Sequence, residues 1–126
     1  MPAIPSALVI DDNSEALDAI GQVLSASGVQ SVCPAHSAEE ALDILKTRRF
    51  DLVVADYRLD GMNGVEFLET LRASGDQTPL LLLSGAPDKA GVIRAVSQPK
   101  VDVFGKPFRV AEFVDAINKL MADSAH

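Results

Sequence analysis

The stretch that decides the fold is residues 51–64, which read DLVVADYRLDGMNG. The run from Leu52 to Ala55 is continuously apolar, too short for a helix and without alternation, so it predicts a strand buried on both faces of a parallel sheet. The strand stops at Asp56, and two glycines with an asparagine separate it from the next helical pattern. Open α/β sheets bind their ligands at the carboxyl ends of central strands. Asp56 is therefore a candidate functional residue, although a single aspartate at a strand end is more often a polar residue that caps the loop.

Other apolar runs on both sides of this stretch also predict strands. The predicted strands are Ala7–Ile10, a weaker one over Val29–Pro34, Pro79–Leu83 and Val101–Phe104. Between them, helical spacing of apolar residues predicts helices. The first covers Ser14–Ser27 and ends at Gly28, and the second begins with a capping box formed by Ser37 and Glu40.

The remaining helices differ in quality. The third carries Phe67, Leu68 and Leu71, and the fourth, about residues 88–97, is weakened by Gly91 and followed by Pro99. The last helix is the clearest, and its predicted apolar stripe consists of Val110, Phe113, Val114, Ile117, Leu120 and Met121.

Five strands alternating with five helices predict a single α/β domain over residues 1–126, with its core at about residues 7–121. We expect a doubly wound, five-stranded parallel sheet in the order 2-1-3-4-5, with right-handed crossovers and helices on both faces, as in flavodoxin-like folds.

Composition excludes several classes of function. The chain has 126 residues, 48% of them hydrophobic, and a formal net charge of −7, which disfavours non-specific binding to nucleic acid or to an anionic membrane. Residues 1–6 lack the features of a signal peptide, and a single cysteine, Cys33, fits a cytoplasmic protein. With only His36 and His126 besides that cysteine, any bound metal must be held by oxygen ligands.

The predicted strand order brings polar residues to one edge of the sheet. Strands 1, 3, 4 and 5 deliver Asp11 and Asp12, Asp56, Ser84 and Lys106 to that edge. Three carboxylates within a few ångströms would repel one another, and a divalent cation such as Mg²⁺ would relieve the repulsion. A carboxylate nucleophile, Mg²⁺, a hydroxyl and a lysine together indicate phosphoryl transfer.

Each of these residues also has an ordinary structural interpretation. Asp11 and Asp12 are typical N-caps of a first helix. Ser84 followed by Gly85 is typical of a turn, and Lys106 followed by Pro107 is typical of a solvated loop. Their joint occurrence at one edge is what favours a functional site.

Over Ala7–Met121 the sequence resembles the receiver domains of two-component response regulators. The resemblance rests on motifs in the family's order, namely Asp11-Asp12, Asp56, Ser84 and Lys106-Pro107. It implies that Asp56 accepts a phosphoryl group from a histidine kinase or a histidine phosphotransfer protein. It also implies Mg²⁺ bound by the Asp12 and Asp56 carboxylates and the Arg58 backbone carbonyl, with Asp11 acting through water.

The resemblance further implies that Ser84 and Lys106 contact the phosphoryl oxygens, and the Lys106–Pro107 bond is often cis in relatives. Ser84, Val103 and Pro107 then stand at the positions that switch between states. One of these departs from the family, because Val103 replaces the usual tyrosine or phenylalanine. We therefore expect phosphorylation to shift order in residues 88–100 instead of turning a ring at position 103.

Several interpretations remain open from the sequence. We expect a signalling module that acts by contact with an unidentified downstream protein and has no enzymatic activity beyond self-phosphotransfer and slow self-dephosphorylation. It is also compatible with the receiver module of a hybrid sensor kinase or a degenerate receiver used only for binding. A haloacid dehalogenase-type phosphatase is disfavoured because Arg58 stands where that family needs an aspartate, and a flavodoxin because Asp11 and Asp12 replace a phosphate-cradling loop.

Overall fold

Five strands alternate with five helices along the chain in the computed structural model, which describes residues 4–59, 61–85, 89–105 and 109–124. The elements are β1 (Ile4–Ile10), α1 (Ser14–Ala26), β2 (Val29–Ala35), α2 (Ala38–Thr47), β3 (Leu52–Asp56), α3 (Gly64–Ala73), β4 (Leu80–Ser84), α4 (Lys89–Val96), β5 (Val101–Gly105) and α5 (Val110–Ser124). Each apolar run predicted as a strand is one, and β1 begins three residues earlier than Ala7.

The strands form one parallel sheet in the order β2-β1-β3-β4-β5, which confirms the predicted topology. The register sets the height at which each strand ends. Ile10 pairs with Ala55, and Asp56 pairs with Leu83. The carboxyl ends of β1, β3 and β4 therefore reach the same edge of the sheet.

Two separate apolar cores cover the two faces of the sheet. In β3, Val53 and Ala55 belong to the core beneath α2, α3 and α4, whereas Leu52 and Val54 belong to the core beneath α1 and α5. Because successive side chains of a strand point to opposite faces, burial on both faces requires a continuous apolar run. This is the physical reason for the pattern at residues 52–55.

The helix ends depart from expectation in three places. Asn13, not Asp11 or Asp12, is the N-cap of α1, and its side chain accepts a hydrogen bond from the Ala16 N–H at 3.1 Å. Ser37 caps α2 as predicted, but the Glu40 carboxylate accepts from the His36 N–H, so the predicted capping box is incomplete. A complete box lies at α3.

In the α3 capping box, the side chains of Asn63 and Glu66 each accept a hydrogen bond from the backbone N–H of the other residue.

The predicted apolar stripe of α5 is wrong at one end. Val110, the first residue of α5, is 58% exposed, while Phe113 and Ile117 are buried. No helix among the described residues is long and apolar enough to cross a membrane.

Candidate functional site at the carboxyl edge of the sheet

Asp11 is buried in the turn that leaves β1. It is 2% exposed, its N–H donates to the Ala35 carbonyl at 3.1 Å, and its Oδ1 accepts from the Asn13 N–H at 2.9 Å. Asp12, the next residue, is exposed. Of the two adjacent acids, one therefore stabilises the loop and the other presents its carboxylate to solvent.

Asp56 is half-buried at the end of β3, and the loop after it is held on both sides. The Tyr57 N–H donates to the Leu83 carbonyl of β4 at 2.7 Å, and the Tyr57 carbonyl accepts from the Gly64 N–H at 2.8 Å. A Cβ added at Gly64 would lie 2.6 Å from the Asp56 carbonyl oxygen. Glycine at the start of α3 is what allows the helix to approach the Asp56 backbone this closely.

Ser84 closes the site on the β4 side. It is the last residue of β4, is 2% exposed and pairs with Gly105 at the end of β5. The predicted site residues Lys106 and Pro107 follow Gly105 in sequence but lie outside the described residues. The described structure therefore brings the ends of β1, β3 and β4 together and leaves the predicted lysine untested.

The described part of the chain contains no group of three or more His, Cys, Asp or Glu side chains arranged to hold a metal ion. Asp11, Asp12 and Asp56 therefore do not form such a group, and Mg²⁺ binding by these residues stays a prediction. The oxygen donors near the strand ends are the carboxylates of Asp11, Asp12 and Asp56, and the Arg58 backbone follows Asp56. Oxygen ligands of this kind suit Mg²⁺, which keeps several of its waters in proteins.

Val103 and Phe104 lie on opposite faces of β5, as neighbouring residues of a strand do. Val103 packs against the core beneath α2, α3 and α4. Phe104 packs against the other core, with its ring in edge-to-face contact with Phe113 at 6.2 Å between centroids. Phe104 follows the usual aromatic position by one residue and faces the other core. Its ring therefore cannot replace an aromatic side chain at position 103.

The contact between Tyr57 and α4 was not predicted from the sequence. A Cβ added at Gly91 would overlap the Tyr57 hydroxyl and lie 2.9 Å from Cε2 and 3.0 Å from Cζ. An isolated glycine inside a helical pattern is a signal for a close approach of this kind. From the sequence alone, Gly91 was interpreted only as a residue that weakens the helix.

Nearby, Arg94 of α4 donates to the Glu69 carboxylate of α3 through both Nε and Nη2. This hydrogen bond, and then the negative charge of Glu69, raise the pKa of the Arg94 guanidinium, with smaller contributions from Glu66 and Tyr57. Tyr57 therefore lies close to the ion pair that joins α3 to α4.

Residues 7–118 match the family described as the response regulator receiver domain. The chain belongs to this family. It is 31% identical over 112 residues to the transcriptional regulatory protein YvrH of Bacillus subtilis, covering 89% of this chain and 47% of that protein. It is 29% identical over 117 residues to the cell cycle transcriptional regulator CtrA of Caulobacter vibrioides, covering 93% of this chain and 50% of that protein.

The fold agrees with this membership. The signal receiver domain of an HD domain-containing protein from Pseudomonas fluorescens superposes with a TM-score of 0.85 at 26% identity, over 94% of this chain and 95% of that one. The chain spans about half the length of the curated relatives it matches. Family membership rejects the phosphatase and flavodoxin alternatives and confirms a two-component signalling module.

Proposed function

We propose that this chain is an active phosphoacceptor receiver that takes a phosphoryl group onto Asp56 in a two-component system or phosphorelay. The observation that carries the proposal is the placement of Asp56. Its carboxylate is half-buried at the end of β3, with the exposed Asp12 after β1 and the buried Ser84 at the end of β4. A degenerate receiver used only for binding would not need this arrangement of acids and hydroxyl.

The transfer is a displacement at phosphorus. A carboxylate oxygen of Asp56 forms the new P–O bond as the P–N bond of a phosphohistidine breaks, and the electron pair returns to the imidazole nitrogen. Ser84 and Lys106 would receive the phosphoryl oxygens. Mg²⁺ held by Asp12, Asp56 and the Arg58 carbonyl would supply positive charge that offsets the charge on these oxygens.

The phosphodonor follows from the family, and we infer a histidine kinase or a histidine phosphotransfer protein. The downstream partner is a protein that contacts the domain. The expectation that no nucleic acid is involved has no support from the relatives, since two of them are named transcriptional regulators and are about twice as long as their match. Nucleic acid binding would belong to their additional length, and a cytoplasmic location remains a prediction.

Mass measurement of the intact protein after incubation with acetyl phosphate and Mg²⁺ tests the proposal. The wild type should gain one acid-stable, base-labile phosphoryl group, and Asp56→Asn should gain none. Asp51→Asn is the matched control, because Asp51 stands at the other end of the same strand, where its Oδ2 accepts from the Ser6 N–H and hydroxyl. An adduct that persists in Asp56→Asn would place the acceptor elsewhere.

A further inference from the structure

The ring of Tyr57 lies directly against the backbone of α4. Its Cε2 and Cζ atoms come so close to Gly91 that no larger residue fits there without a shift. Tyr57 is half-buried and packs against the same core as Val103. It therefore places an aromatic ring on the face of the sheet where position 103 has none.

Helix α4 depends on this contact more than a longer helix would. It has eight residues, and Gly91 and Ala95 are the buried ones among those whose side chains are described. Ile93 and Val96 are 57% and 53% exposed. Because few apolar side chains anchor this helix, it is a candidate for opening independently of the rest of the sheet.

The far end of α4 is held differently. The buried Arg72 donates to the carbonyls of Pro99 and Lys100 at 3.1 and 3.3 Å, just after the helix. The turn that leads into β5 is thus bonded to α3. We therefore expect any motion of α4 to be larger at its amino-terminal half, where Tyr57 meets Gly91.

A short path of bonds leads from the acceptor to this ring. Tyr57 follows Asp56 directly, and its N–H is bonded to the Leu83 carbonyl, which precedes Ser84. A phosphoryl group on Asp56 adds charge and three strong acceptor oxygens, so Ser84 gains a hydrogen-bond partner that exists only in the modified state. A shift of Ser84 toward that partner also shifts the carbonyl that holds Tyr57.

We propose that Tyr57 couples Asp56 to α4, and that phosphorylation moves the ring away from Gly91 and loosens the amino-terminal half of the helix. The proposal rests on the proposed function, since it needs the phosphoryl group on Asp56. In this proposal the ring of Tyr57 moves in response to phosphorylation, which the short side chain of Val103 cannot do. It also specifies which residue produces the expected change of order before β5.

The composition of the chain allows a direct measurement of this ring. The sequence contains one tyrosine and no tryptophan, so tyrosine emission reports Tyr57 alone. After acetyl phosphate and Mg²⁺ have modified the wild type, acrylamide should quench this emission more strongly than in the unmodified protein. Equal quenching in the two forms, with the adduct verified by mass, would overturn the proposal without any variant.

Hydrogen exchange of residues 89–96 tests the coupling itself. In the wild type, exchange should be faster with the phosphoryl group than without it. Tyr57→Leu should still accept the phosphoryl group but lose this difference. Gly91→Ala should show fast exchange before modification, because the added methyl displaces the ring. Ile93→Ala, on the exposed side of the same helix, is the control and should behave as the wild type.

The outcomes separate the two proposals. A phosphorylated Tyr57→Leu protein that keeps the full exchange difference would overturn the role of Tyr57 and leave the phosphoacceptor function intact. A wild type that takes up no phosphoryl group would overturn both, and the mass measurement reports that result before any exchange experiment begins.

Discussion

Three glycines lie within helices, namely Gly21, Gly64 and Gly91. In the interior of a helix, alanine is favoured over glycine by about 1 kcal/mol. Whether alanine can replace glycine at each position depends on the space around the residue. A Cβ at Gly21 would make an ordinary contact with Val32 at 3.7 Å, whereas a Cβ at Gly64 would meet Leu82 and the Asp56 carbonyl at 2.6 Å. The same residue type is thus replaceable at one position and required at the other.

We predict opposite effects of alanine at these two positions. Gly21→Ala should raise the free energy of unfolding by about 1 kcal/mol through helix propensity. Gly64→Ala should lower it by about 1–3 kcal/mol, since β3 or α3 must shift to admit the methyl group. Urea unfolding of the two variants measures both effects, and a Gly64→Ala protein as stable as Gly21→Ala would contradict the close packing at the strand end.

Asp12 provides a second prediction at this scale. Because its carboxylate is exposed, Asp12→Ala should fold normally and lose most Mg²⁺ binding in calorimetric titration. Asp18→Ala, which removes another exposed carboxylate from α1, is the matched control and should bind Mg²⁺ as the wild type does. Unchanged binding in Asp12→Ala would remove Asp12 from the ligand set.

At the scale of elements, Arg72 joins α3 to the segments that precede β4 and β5. It donates to four backbone carbonyls, those of Asp76, Thr78, Pro99 and Lys100. Burial lowers the pKa of its guanidinium, and the charge of Asp76 opposes that shift. The five N–H donors of arginine, fixed in one plane, can satisfy four separate carbonyls in a way that lysine cannot.

Arg72→Lys should therefore lower the free energy of unfolding by about 2–4 kcal/mol, since four partly buried carbonyls lose donors. Hydrogen exchange at residues 97–100 should rise in the same variant. Arg94→Lys is the control, because its ion pair with Glu69 is exposed and is screened by solvent. Equal loss of stability in the two variants would show that the four carbonyl bonds of Arg72 are not what stabilises this region.

At the scale of the whole molecule, burial falls from the middle of the sheet toward β5. Every residue of β4 and four of the five residues of β3 are buried. None of the five residues of the edge strand β5 is buried. The adjacent α4 has only small buried residues among its described side chains.

Native-state hydrogen exchange at increasing urea should reveal this gradient. The amides of β1, β3 and β4 should exchange only through global unfolding, and those of β5 and α4 through local opening at lower free energy. The expected order follows from how much apolar surface each element must expose. Protection of α4 equal to that of β3 would contradict the weak anchoring on which the coupling by Tyr57 depends.

The architecture and the residues of the candidate site could be predicted from local patterns in the sequence. Short uninterrupted apolar runs that end at turn residues are typical of strands buried on both faces, and the acids and the serine that follow them then reach one edge of the sheet. These patterns are readable because their cause lies within a few neighbouring residues. The candidate site residues could be predicted from the same patterns, since the end of each apolar run can be located in the sequence.

Contacts between residues of different elements could not be predicted from such local patterns. The cap at Asn13, the burial of Asp11, the exposure of Val110, the four carbonyls bound by Arg72 and the ring of Tyr57 on Gly91 all depend on segments that meet in space. Considered with its neighbours in sequence, Gly91 weakens a helix. In the folded chain, where α4 meets the end of β3, it leaves space for the ring of Tyr57. The reason is physical: helix propensity is a local free energy, whereas the contact between Tyr57 and Gly91 exists only once the sheet has brought residues 34 positions apart together.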